Sequence, residues 1–164
     1  MIAPALTERL LFLSRVVQKE AAYLRDTDER LFAESFSPER VALFADMPEL
    51  AERVEAFVSR FGRLQDTLGD KLLPALLAAL GETPGAAIDN LDRAEKLGWV
   101  DSADAWRAMR KLRNLMVHEY VEDPVILASA LQSGHAFVPA LMGSVERFAT
   151  EIVQRTSTRR DPLA

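Results

Sequence analysis

Within the stretch RKLRNLMVHEY, residues 110–120, stand Arg113, Asn114, His118 and Tyr120. The chain has only two histidines, and one of them falls here, close to an arginine. Histidine titrates near neutrality and can act as a general base or a general acid. Arginine offers a planar, permanently charged fork that suits phosphate and the charge of a phosphorane. Cleaving RNA without a metal takes a base for the 2′-hydroxyl or an acid for the leaving oxygen, and a fixed cation. These residue types supply them.

The helix that must carry this stretch runs, on its hydrophobic period, from Ser102 to Tyr120 or Val121, and it must stop before Pro124. Steps of about 100° per residue divide it into two faces. Trp106, Met109, Leu112, Met116 and Tyr120 gather on one side, a stripe expected to be core. Arg107, Arg110, Lys111, Asn114 and His118 gather on the other. That side is either a phosphate-binding strip or a solvated helix face. His118 would lie in the last turn, where the helix dipole favours a protonated imidazole. Arg113 stands about 140° round the wheel from His118, so a long side-chain reach or a second subunit must bring the two together.

The segment RNLMVHEY resembles the signature of the HEPN superfamily, Arg-x-x-x-x-His, in the form found in HepT-type toxins, Arg-x-x-x-x-His-x-Tyr. Arg113, His118 and Tyr120 match it, and Asn114 is the polar residue often found after the arginine. Requiring the tyrosine as well makes a chance match rare. The stretch RFGRLQDTLGDKLLPALL, residues 60–77, is similar to the helix that precedes the motif in such proteins. The resemblance implies a HEPN-like helical bundle that forms a homodimer, with two motifs lining one cleft, and a metal-independent endoribonuclease activity. It also implies a small nucleotidyltransferase (MNT-type) antitoxin as partner, which adenylates the motif tyrosine. Carried over by position, Arg113 would stabilise phosphate and His118 would be the acid–base. Asn114 would orient the substrate or the histidine, and Tyr120 would be the modification site. Apart from the match, Arg110 on the cationic line is a candidate for binding phosphate, and Asp66 is a candidate polar residue facing the cleft. No cofactor or metal is implied. A second reading of the same cleft is a non-catalytic module that binds nucleotide or substrate for a partner nucleotidyltransferase.

Other groups carry less. Asp66 and Asp70 stand one turn apart beside Lys71, but two acids without a nearby third ligand make a poor metal site. His135, beside Gly134, is expected at a helix break or on the surface, and the two histidines share no helical face that would suit zinc. Neither a glycine-rich phosphate loop nor a nucleophile elbow is present. The chain has no cysteine, which excludes disulfides and thiolate chemistry and fits a reducing cytoplasm. A net charge of −5 argues against a general nucleic-acid binder and leaves room for a local basic site.

The elements that must position the motif are helical throughout, because Leu, Ala, Glu and Arg dominate and no alternating strand pattern occurs. A first helix is expected from Thr7 to about Ala33, with Leu10, Leu13, Val17 and Leu24 inward. Ser37 should cap a short helix over 38–45 that starts with Pro38. A long helix should run from Pro48 towards Leu80 with a kink or split near 69–74, where Gly69 and Pro74 interrupt it. A turn over 81–85, a helix over 86–97 stopped by Gly98, and a last helix over 124–154, bent near 134–139, complete the chain. The expected fold is an all-α, up-down bundle of four to six helices in one domain, residues 1–155, with a flexible tail over 156–164. The N-terminal apolar run Leu10 to Leu13 is too short for a membrane span, and the protein is expected in the cytoplasm.

Overall fold

Proline sets where the helices begin. Pro4, Pro38, Pro48 and Pro124 each hold the first residue of a helix in the computed structural model, which describes residues 2–117 and 121–157. At that position the missing N–H would have had no helical partner, and the ring fixes φ at a helical value. The elements are α1 (Pro4–Leu31), α2 (Pro38–Ala42), α3 (Pro48–Asp66), α4 (Leu73–Ala79), α5 (Ala87–Lys96), α6 (Ala103–Leu112) and α7 (Pro124–Ser157). A π turn, Thr67–Leu72, joins α3 to α4 without a break, so six helical rods make up the described residues and no strand is found among them.

Most expected boundaries lie within a turn of the observed ones. α1 starts at Pro4 rather than Thr7 and ends at Leu31 rather than Ala33. Ser37 accepts a hydrogen bond from the Arg40 N–H and caps α2, as its position before Pro38 predicts. α5 ends ahead of Gly98, whose φ of +78° suits a residue without Cβ. The interruption expected near 69–74 is real but takes the form of a π turn, which keeps the rod continuous while shifting its register. α7 runs unbroken through Pro139, so the helix break expected around His135 does not occur. Of the expected tail, Thr156 and Ser157 belong to α7 and the rest lies outside the described residues.

The largest departure is at α6. It ends at Leu112, a 3₁₀ turn covers Arg113–Met116, and Val117 is extended at φ −81° and ψ 100°. The sequence shows only the Pro124 stop, twelve residues after Leu112. Tertiary contacts end the helix earlier: a 3₁₀ turn places residues three apart on one side, and here Arg113 lies against α3 while Met116 is fully buried under α7. α6 therefore ends six residues before His118, and the expectation of a helix running to Tyr120 or Val121 is not met. His118 and Tyr120 themselves lie outside the described residues.

The core sits between α1, α3 and α7, with α4 and α6 closing its sides. Leu10, Leu13, Val17 and Leu24 of α1 are all buried, as their spacing predicts. Val54, Phe57, Phe61 and Leu64 of α3 face them at the same period. Each such large side chain contributes about 1.5–3 kcal/mol by leaving water. α7 is long and apolar enough to cross a membrane on length and composition alone. In the fold it buries Leu127, Leu131, Val138, Leu141, Val145, Phe148 and Ile152 against the other helices.

Two polar contacts fasten α7 to the N-terminal region. Gln132 accepts a hydrogen bond from the Phe36 N–H at 2.9 Å. His135 stacks on Phe32 at 4.2 Å between centroids and places Nδ1 2.7 Å from Asp28 Oδ1. His135 is thus an interhelical contact rather than a loose surface group. Burial pushes the Asp28 carboxyl above its usual value, although the His135 contact opposes the shift.

Candidate functional site

The site begins with a missing side chain. A Cβ on Gly62 would stand 2.8 Å from Arg113 Nη2, 3.0 Å from Nε and 3.1 Å from Cζ. The Nε–Nη2 edge of the guanidinium therefore lies close against the α3 backbone, at a distance that only glycine permits. One turn further along α3, Asp66 receives Arg113 Nη1 at 2.7 Å on Oδ1 and Nη2 at 3.1 Å on Oδ2. This two-toothed geometry fixes both the position and the plane of the fork.

Gln65 braces the arrangement from beneath. It is fully buried, donates Nε2 to the Trp106 carbonyl at 2.9 Å, and holds Oε1 3.5 Å from Arg113 Nη1. Gly62, Gln65 and Asp66 follow an i, i+3, i+4 spacing that puts all three on one face of α3. That spacing is the sequence signal that could have identified Gly62 and Gln65 beside Asp66.

Around this seat lies an open cleft of about 460 Å³. Its walls include Ser59, Arg63 and Thr67 of the long rod, Lys71 of the π turn, and Arg113, Asn114 and Val117 of the motif segment. Of the expected site residues, Arg113, Asp66 and Asn114 line this space, and Arg110 joins them through Asp66. His118 and Tyr120 are outside the described residues, one and three positions beyond Val117.

The arginines of the expected cationic strip do not present free charge. Arg107 pairs with Asp104 at 2.5 Å and Asp92 at 3.2 Å. Arg110 pairs with Asp66 at 3.1 Å and also with Asp70. Asp66 thus serves two arginines. Burial alone would raise its carboxyl, but Arg113 and Arg110 together outweigh that and hold it below its usual value. Asp70, weighed in the sequence as one of a metal pair, faces Arg110 instead. Among the described residues no group of three or more His, Cys, Asp or Glu could hold a metal ion.

Arg63 and Lys71 differ from the motif arginines. Both are exposed and line the cleft, and among the described residues no carboxylate comes within 4.0 Å of either. Arg63 reaches only the Ser59 hydroxyl at 3.4 Å. The helix wheel of the motif could not reveal them, because they belong to a different helix.

No protein-family model, no curated protein and no solved structure matches the chain.

Proposed function

We propose that this chain is a metal-independent endoribonuclease of HEPN type, the toxin of a toxin–antitoxin pair, acting in the cytoplasm as a homodimer. One observation carries the reading: the Arg113 guanidinium is held close against α3 and oriented by Asp66 in an open cleft, five residues ahead of His118. An oriented, permanently charged fork is what a developing phosphorane requires. Asp66 and Gln65 engage three of its five N–H donors, which leaves two for a phosphate oxygen.

In this mechanism His118 takes the proton from a 2′-hydroxyl, and the 2′-oxygen attacks the adjacent phosphorus. Arg113 stabilises the added negative charge on the phosphoryl oxygens. The 5′-oxygen leaves and takes that proton back from the His118 imidazolium, and a 2′,3′-cyclic phosphate remains on the upstream fragment. Asn114, exposed on the cleft rim, contacts the substrate. Tyr120, two residues beyond His118, is the site at which a nucleotidyltransferase antitoxin would add adenylate and block the cleft.

Incubating unmodified protein with tRNA and messenger RNA in EDTA, beside a His118→Ala variant, tests the proposal. Cleavage by wild type and not by the variant, with the same circular dichroism, is the expected result; intact RNA in both samples overturns it. A second reading has an observation of its own. Arg107, Arg110 and Arg113 are all paired with carboxylates, which suits a module that binds nucleotide without catalysis. Nucleotide binding that survives His118→Ala, with no RNA cleavage, favours that reading.

A further inference from the structure

We propose that Arg63 and Lys71 form a second phosphate subsite in the Arg113 cleft, so that the ligand is a single RNA strand spanning several phosphates rather than one nucleotide. The identity of the strand as RNA rests on the endoribonuclease reading; the subsite itself rests on geometry and charge.

Arg113 is largely satisfied within the protein, because Asp66 engages both of its terminal nitrogens. Arg110 is shared between Asp66 and Asp70. Arg63 and Lys71 are the lining cations of this cleft without a carboxylate within 4.0 Å among the described residues. They are eight positions apart on the α3–π rod, about 12 Å along a helix axis. The Arg113 seat, from Gly62 to Asp66, begins beside Arg63 and ends five residues before Lys71. Two such places suit a ligand with successive phosphates, as a polynucleotide backbone has; a nucleotide with a single phosphate fills one of them.

The wall behind the two cations fits this role. Thr67, between them, has its hydroxyl 3.1 Å from Glu20 Oε1 of α1, and Glu20 Oε2 is buried without a hydrogen-bond partner. Burial raises the Glu20 carboxyl, while the Thr67 contact and the charges of Arg63 and Lys71 lower it, so both cations act on this one acid without pairing with it. Of the charged residues that line the cleft, Arg63, Lys71 and Arg113 are set against Asp66, an excess of two positive charges among the described residues in a chain whose net charge is −5. A local excess of that sign draws a polyanion to this place rather than to the acidic body.

The test reads binding apart from cleavage. A short fluorescent RNA strand carrying 2′-O-methyl groups cannot be cut through its 2′-hydroxyl, and its binding is followed by anisotropy over a range of salt. Arg63→Gln with Lys71→Gln is expected to weaken binding at least tenfold and to lower the log–log salt slope by about 1.4, since each single-strand phosphate contact contributes about 0.7. The charge-keeping pair Arg63→Lys with Lys71→Arg restores most of the affinity, which separates charge from folding. Lys111→Gln, at an exposed lysine of α6 outside the cleft lining, leaves both numbers unchanged. Equal affinity and slope in wild type and the double Gln variant overturns the subsite, as does a wild type that fails to bind the strand. If the double variant loses binding while wild type never cleaves unmodified RNA, the subsite stands and the nuclease reading falls.

Discussion

Arg113 and Asp66 meet edge to edge, two nitrogens on two oxygens at 2.7 and 3.1 Å, across 47 residues of chain. The contact ties the motif turn to α3 and sets the plane in which the guanidinium meets a ligand. Asp66 is 44% exposed, so its pairing contributes modestly to stability, about 1 kcal/mol. Asp66→Ala is therefore expected to shift the urea midpoint slightly while lowering RNA cleavage far more. Equal cleavage by the variant would show that Asp66 does not orient the arginine. The pH dependence has a definite sign. The folded Asp66 carboxyl lies below its unfolded value of 3.8, so its contribution is complete above that pH and is lost as pH falls through the lower folded value. The clamp survives mild acid.

Gly62→Ala probes the same seat from the other side. The new methyl would fall 2.8 Å from Arg113 Nη2 and must displace the guanidinium, the far end of a flexible side chain. The helix gains up to about 1 kcal/mol of propensity from alanine, so the melting temperature should hold or rise. Cleavage should fall about a hundredfold, the scale of an ångström-sized misplacement. A variant that keeps both stability and activity removes Gly62 from the site.

Gly134→Ala acts at the opposite end of the motif turn. Its methyl would stand 2.6 Å from Met116 Cε and 3.1 Å from Sδ, with Phe57 Cε1 at 3.5 Å. Overpacking of this kind costs about 1–3 kcal/mol. Adding Met116→Ala opens the space again, so the double variant should be more stable than the sum of the two single losses predicts, measured by chemical denaturation. Additive losses would mean that the two residues do not press on each other.

Asp28 gives a pH dependence of the opposite sign. Its folded carboxyl is raised above the usual 3.8 by burial, against the pull of His135. Its ionisation therefore lowers stability as pH rises through the interval just above 3.8. Asp28→Asn should flatten that part of the stability–pH curve, followed by the urea midpoint. An unchanged slope would place the dependence elsewhere.

Much of the fold is legible from local pattern. Pro38 after Ser37, Gly98 after Leu97, and the inward period of Leu10, Leu13, Val17 and Leu24 are all short-range signals, and each corresponds to what the fold contains. The end of α6 is not legible. Nothing within residues 110–117 breaks a helix by propensity; the break comes from Asp66, 47 residues away, and Gly134, 18 residues after Met116. The charge of the site is hidden for the same reason. A helix wheel shows Asp104 beside Arg107, but it does not show Asp92, or the Asp66 and Asp70 that neutralise Arg110, because those carboxylates come from other elements. Long-range pairing leaves no trace in a one-helix projection.

The packing of Met116 beneath Gly134 also sets an order of events during synthesis. α1 and α3 emerge first, yet both pack on α7, which occupies the final described stretch of the chain. Until that helix has left the ribosome, α1 and α3 have each other but not α7 against their apolar faces, and Met116 lacks the α7 surface that covers it. The motif turn consequently takes its shape only once α7 has been made. A chain stopped before Gly134 would hold Arg113 and His118 in its sequence without the packing that positions the turn between them.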